Sequence, residues 1–182
     1  MFDFFNKDKE TVKVIDRVWI STGAKWNACR SLVQLNPDCV FAAWFESTKQ
    51  ELESFLSSTA GHPAVVHLAT KLSSDGVLGK MIVFVEHYPF RKKELEVFSK
   101  LVLAEVPVLS ALDEPIMMFF GGEKVIDLMK RLGMKDDEPI GHSMVTKSIS
   151  SAQRKIAEKV EIEKPASSPS QWFALNLPTN TI

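Results

Sequence analysis

The chain has 182 residues, of which 45% are apolar and 25% charged, and its formal net charge is -1. These values describe one water-soluble domain large enough to bury its own core. They leave no cationic field to draw nucleic acid or an anionic membrane, and no run nears the roughly 20 apolar residues of a membrane helix.

The N-terminal arm, residues 1–11, opens "MFDFFNKDKE" and has no apolar region of signal-peptide length. Its Phe2, Phe4 and Phe5 fit two readings, anchors in a partner's groove or cover for their own domain. "VKVIDRVWI" (12–20) is rich in β-branched and aromatic residues and predicts a strand. Ala24, Ala28, Leu32 and Leu35 follow at helical spacing. At the junction stand Thr22, Gly23 and Lys25, in the place and with the chemistry of a phosphate-binding loop. A Walker A loop needs two glycines four apart and a hydroxyl after the lysine, because glycine amides wrap the phosphates and the hydroxyl holds magnesium. "STGAKWN" has one glycine, and Trp26 replaces the hydroxyl. The turn therefore reads first as a helix cap formed by Thr22 and Gly23. The alternative is a weak anion site that includes Lys25.

The pattern repeats. "DCVFAAWFE" (38–46) is a second strand, and "STKQELESFL" a helix with Thr48 and Glu51 at capping-box spacing. "AVVHLA" (64–69) and "KMIVFVEH" (80–87) are two more strands, "RKKELEVFSKLVL" (91–103) a helix, and "VPVLSA" (106–111) a fifth strand. Strands apolar throughout belong to a parallel sheet covered on both faces. "EPIMMFFGGEKVIDLMKRLG" (114–133) reads as helical and "DDEPIG" as a turn. The last helix starts at Ser143, with Val145, Ile149, Ala152 and Ile156 on one stripe. Residues 161–182 have linker composition, "EIEKPASSPSQ", before an apolar "WFALNLP".

Candidate chemistry is sparse. Cys29 and Cys39 lack zinc spacing and read as buried, inert thiols in a cytoplasmic protein. His62, His67, His87 and His142 offer no metal spacing. His67 and His87 are expected on adjacent strands, with Glu86 beside them, but no third ligand accompanies them, so no metal or catalytic residue is assigned. Asp113 and Glu114 before Pro115 suit a helix start.

The stretch "FFGGEKVIDLMKRLGMKDDEPIGHSMVTKSISSAQRKIAEKV" (119–160) resembles SecA, the ATP-driven preprotein translocase motor. That family carries an "FGGE…LMxRLGM…EPIEHxMVTxAIxxAQRKVE" run, where the second nucleotide-binding lobe gives way to the helical scaffold. Upstream, "GKMIVFVEHYPFRKKEL" (79–95) is similar to the family's "GGLHVIGTERHESRRID", and "VLSALDEPIMMFF" (108–120) to "FYLSLEDDLMRRF". "VVHLAT" (65–70) holds the place of "VTIATNMAGRGTD". Residues 18–32 fall on the strand and helix that open the lobe.

The resemblance covers roughly residues 12–160. It implies a RecA-like α/β lobe at 12–120, a mainly parallel sheet of about five strands flanked by helices, with C-terminal helices at 121–160; the linker composition beyond makes 161–182 a flexible tail. It also shows what differs. "GRGTD" is replaced by "KLSSDGVLGK", and the arginine-bearing "QLRGRxGRQGDPG" has no counterpart, so the charges that stabilise a transferring phosphoryl group are missing. The implied function is a non-catalytic module that binds protein, with a translocase component as the expected partner and no cofactor, neither ATP nor ADP. Val145, Ile149, Ile156, Trp172 and Phe173 are its candidate contacts, although the helix stripe folding back on the sheet is the weightier reading. The alternatives are a weak nucleotide-binding enzyme or regulator built on residues 21–26, and a self-associating homodimer using Val145, Ile149 and Ile156.

Overall fold

A computed structural model describes residues 12–58, 65–141 and 143–177. The N-terminal arm, His62, His142 and residues 178–182 lie outside the described residues. Within them the chain runs β1 (Lys13–Trp19), α1 (Thr22–Leu35), β2 (Val40–Ala43), α2 (Glu46–Ser57), β3 (Val65–Leu68), α3 (Ser74–Val77), β4 (Ile82–Phe84), α4 (Arg91–Lys100) and β5 (Glu105–Ala111). Four helices follow: α5 (Pro115–Phe119), α6 (Gly122–Arg131), α7 (Ser143–Lys159) and α8 (Pro169–Asn176).

The five strands form one sheet in the order β1-β5-β4-β2-β3, every named pair parallel. This is the α/β sheet flanked by helices expected of a RecA-like lobe. Alternate residues of each strand feed opposite layers. On one face Phe41 and Ala43 of β2, Val83 and Leu109 meet Trp26, Cys29 and Val33 of α1 and Leu52 and Leu56 of α2. On the other, Val40, Ala42, Phe84 and Val108 meet Phe98 of α4, Ile156 of α7 and Trp172 and Phe173 of α8. Burial on both faces is why the strands read as unbroken apolar runs.

Because β2 separates β3 from β4, His67 and His87 are not on adjacent strands. His67 is exposed on β3, whereas His87 is buried beyond β4. Pro107 sits inside β5, between two neighbours, where a missing amide normally breaks a ladder. It is tolerated because β4 is short: β5 registers with β4 through Phe84 and Val108, one residue past the proline.

The helical stretch after Asp113 is two helices. Gly121 adopts φ 89°, a left-handed conformation that ends α5 and caps α6. At Gly122 a Cβ would lie 2.5 Å from the Leu112 carbonyl oxygen and 3.0 Å from the Met117 backbone, so the second glycine is needed for close approach. α1 is capped by Ser21, whose Oγ accepts from the Ala24 amide at 3.2 Å; Thr22 and Gly23 lie within the helix. The Thr48/Glu51 capping box is likewise absent: α2 begins at Glu46, the amides of Trp44 and Phe45 just before it are held by Glu86 beyond β4, and the Ser47 amide by the Ser167 carbonyl.

The segment with linker composition is packed onto the domain. Glu163 accepts hydrogen bonds from Tyr88 Oη and, at 2.8 Å, from Trp172 Nε1, and pairs with Lys93. The Ser167 carbonyl accepts from the Ser47 amide at 3.0 Å. Trp172 is fully buried, edge-on to Phe90 and Tyr88, and Phe173 lies against Phe119. Burial of Trp172 and Phe173 and the hydrogen bonds to Glu163 offset part of the cost of ordering this polar run.

Two outcomes follow in urea unfolding. Gly122→Ala should cost about 1–3 kcal/mol, since backbone atoms must move to admit the methyl group. Trp172→Ala should cost about 3–5 kcal/mol, as for a core aromatic, whereas a tail dispensable to the fold would lose almost nothing.

Candidate functional site

The carboxyl ends of parallel strands are where α/β folds assemble ligand sites. Here β1 delivers Ser21 and Thr22, β5 delivers Asp113 and Glu114, β4 delivers Glu86 and His87, and β2 delivers Trp44 and Phe45. Between them lies a cavity of about 280 Å³, lined by Thr22, Lys25, Thr48, Glu86, Glu114 and Ser168 among others.

The phosphate-loop candidates meet the chain's own acids. Asp113 accepts from the Thr22 amide at 2.8 and 3.0 Å, one bond to each oxygen, and from Thr22 Oγ1 at 2.7 Å. The first amide of α1, which would face an anion, thus holds a carboxylate. Gly23 is helical and exposed, with no atom near the position of a Cβ, so neither a turn nor a close contact requires glycine there. Lys25 is buried; it pairs with Glu114, donates to the Val85 carbonyl at 2.6 Å and lies 4.1 Å from the Trp26 ring centre. Burial pushes the Glu114 carboxyl up from its ordinary pKa, opposed by the charge of Lys25. The structure therefore brings Thr22 and Lys25 to one crevice, each held by an acid from the end of β5.

Two buried polar clusters flank that crevice. In the first, Glu86 Oε1 accepts from the Trp44 and Phe45 amides at 2.7 and 3.0 Å, and Oε2 from Thr48 Oγ1 at 2.7 Å. Its carboxyl closes the start of α2. Burial pushes its pKa up to about 7 against the bond from Thr48 and the nearby charge of Lys25. In the second, His87 Nε2 lies 2.8 Å from Asp16 Oδ1 on β1, and Nδ1 2.9 Å from Glu94 Oε1 on α4. Gln153 of α7 donates to Glu94 Oε2 at 2.7 Å and to the Tyr88 carbonyl at 2.8 Å.

Burial works against a charged His87, yet Glu94 and Asp16 together carry its pKa up to about 10. Burial likewise opposes the Asp16 carboxylate, but the bond and charge of His87 hold it below its ordinary value. An imidazolium between two carboxylates, all fully enclosed, is a structural clamp: it has no free face for a substrate. Glu86 and His87 were visible as polar residues ending a strand. Their partners were not: Asp16 and Thr48 are 71 and 38 residues away, and Glu94, seven residues on, lies past a turn whose direction the spacing does not give.

The other candidates lie elsewhere. Ile149 and Ile156 are buried against the sheet, Val145 is half-buried, and Trp172 and Phe173 are buried under α4 and α5. None shares the crevice with Lys25, although Pro169 and Ser170 of α8 line its outer wall. Burial pushes the thiols of Cys29 and Cys39 up to about 12 and about 11. Among the described residues no group of His, Cys, Asp and Glu could hold a metal ion, and no helix is long and apolar enough to cross a membrane.

The clamp has a testable pH signature. The folded pKa of His87 lies above its ordinary 6.5, so its contribution is fully present below about 6.5 and is lost as pH rises through about 10. Unfolding free energy should fall across that window. His87→Leu, which leaves two facing carboxylates buried, should cost about 3–5 kcal/mol at neutral pH, and adding Asp16→Asn and Glu94→Gln should recover part of it. A His87→Leu variant as stable as the parent would refute the clamp.

No family model matches the chain. It is 31% identical over 130 residues to the protein translocase subunit SecA of Syntrophobacter fumaroxidans, covering 63% of this chain and 16% of that protein. The SecA of Chloroherpeton thalassium is 30% identical over 122 residues, 59% of this chain and 12% of its own. A 49-residue stretch is 49% identical to the SecA of Sorangium cellulosum, 27% of this chain and 5% of that protein. The chain spans about one-sixth or less of the length of these curated relatives. Along about six-tenths of its length, this chain is SecA-like.

Proposed function

We propose that this chain is a non-catalytic, SecA-related domain that acts by binding protein in the setting of protein export, with a translocase component as its partner. One observation carries the reading: in the crevice where an ATPase lobe would meet phosphate, the amide of Thr22 and the ammonium of Lys25 are taken by the domain's own carboxylates, Asp113 and Glu114. A phosphate approaching Thr22 meets negative charge where it needs free amides and an unpaired lysine. The relatives' name, protein translocase subunit, supplies the setting. With the crevice's lysine and first helix amide already paired to acids and its outer wall formed in part by Pro169 and Ser170 of α8, this reading assigns the domain's role to its surface.

The test is a thermal melt with and without millimolar magnesium-ATP and magnesium-ADP, paired with retention of purified translocase components on the immobilised domain. Ligand binding to the folded state alone raises the melting temperature. No shift with either nucleotide, together with retention of a translocase component, is the expected result. A rise of several degrees would overturn the non-catalytic reading, and failure to retain any component would overturn the partner.

A further inference from the structure

The apolar stripe that spacing gives α1, Ala24, Ala28, Leu32 and Leu35, is not the side of the helix that enters the core. The buried side is Lys25, Trp26, Cys29 and Val33. The stripe lies on the flank, half-buried at its first three residues and 78% exposed at Leu35. Beside it runs a groove of about 560 Å³ whose floor includes Val83 of β4 and Leu109 of β5. An amphipathic helix normally buries such a stripe.

The groove is least covered at the amino ends of the strands. Leu35 ends α1 just before β2, and Met81, 45% exposed, directly precedes β4; both line it. Pro107, another lining residue, registers with Ile15, two residues past the start of β1. Residues 1–11 join the domain at this same end of the sheet. The other terminal segment outside the described residues, 178–182, follows Leu177, which is buried on the opposite face. The arm divides by chemistry: "FDFF" (2–5) holds three aromatic rings in four residues, and "NKDKET" (6–11) is polar, with the turn-forming Asn6 and Asp8. A reversal within 6–11 returns residues 2–5 along the flank of α1. From Lys13 to Arg17, which lines the groove, is roughly 13 Å, and the eight residues from Phe5 to Lys13 reach about 26–29 Å, so the length suffices with the turn included. The charged residues lining the groove are Arg17 and Asp137, one of each sign, and the arm is likewise mixed, with Asp3, Asp8 and Glu10 against Lys7 and Lys9.

We propose that Phe2, Phe4 and Phe5 of the chain's own N-terminal arm fill this groove and cover Leu32, Leu35 and Met81. Rings taken out of water on both sides of the contact offset the ordering of a short segment. Because the arm is already tethered beside the groove, it meets the apolar flank at a far higher effective concentration than a separate molecule does.

The contact is read directly in the full chain with Phe4 replaced by the photocrosslinker p-benzoyl-phenylalanine. On irradiation the monomer should link to Leu32, Leu35 or Met81, identified by mass spectrometry of the digested product. No link within the monomer, or links only to residues outside the groove, would overturn the proposal. So would a link between two copies, which assigns the groove to an exchanged arm. A cycle of thermal melts gives a second measurement. The triple variant Phe2→Ser, Phe4→Ser, Phe5→Ser should lower the melting temperature by about 2–4 °C. Leu35→Gln should lower it by a similar amount in the parent chain and by almost nothing in the triple variant, where the leucine has no ring to cover it. General misfolding cannot produce that pattern, since the cost of Leu35→Gln must vanish with the rings. The same shift from Leu35→Gln in both backgrounds, or none in either, would remove the arm from the groove.

Discussion

The buried contact between His87, Asp16 and Glu94 is the constraint on which the rest of the arrangement depends. It ties β1, the exit of β4, and α4 at one point, and through Gln153 adds α7. Each of these side chains is almost entirely enclosed, so losing its partners is costly, and Asp16 Oδ2 and Gln153 Oε1 already have no hydrogen-bond partner among the described residues. The elements must therefore arrive together and in one register. Such a cluster adds little net stability over an apolar core of the same shape, but it penalises every alternative packing. β1 at the sheet's edge and the late helix α7 are held in place by charge as well as by apolar contact.

The same logic governs the crevice. Glu114 leaves the end of β5 as the cap residue of α5, yet its carboxylate serves Lys25 of α1. Asp113 occupies the amide of Thr22 at the start of α1. Adjacent acids at one strand end thus satisfy the opening turn of a helix that begins 91 residues earlier. Charge is neutralised inside the site, leaving the outer surface to set the character of any encounter with another molecule.

Much of this fold was legible in the sequence because strands buried on both faces write themselves as apolar runs, as "VFAA" and "IVF" do. Helices α1, α2, α4 and α7 were legible from their spacing. What escaped was wherever one element completes another. Thr48 and Glu51 have the spacing of a capping box, but the Glu86 carboxylate, 38 residues away from Thr48, supplies the acceptor. Gly121 and Gly122 break a helical pattern for reasons of φ and of backbone approach, neither of which periodicity reports. The polar run at 161–171 has the composition of a linker; the Glu163 hydrogen bonds that fasten it depend on where Tyr88 and Lys93 come to lie. The resemblance at 119–160 pointed to the lobe, and the acids now facing Thr22 and Lys25 could be found only in three dimensions.

The packed segment after α7 also bears on where the domain can be cut for expression. A boundary drawn by composition at residue 160 would remove Glu163, Trp172 and Phe173 together, baring Tyr88, Phe90 and Phe119 on one face. Aromatic surface of that kind drives association on its own. Oligomers of such a shortened fragment would record the missing cover and say nothing about how the intact chain assembles.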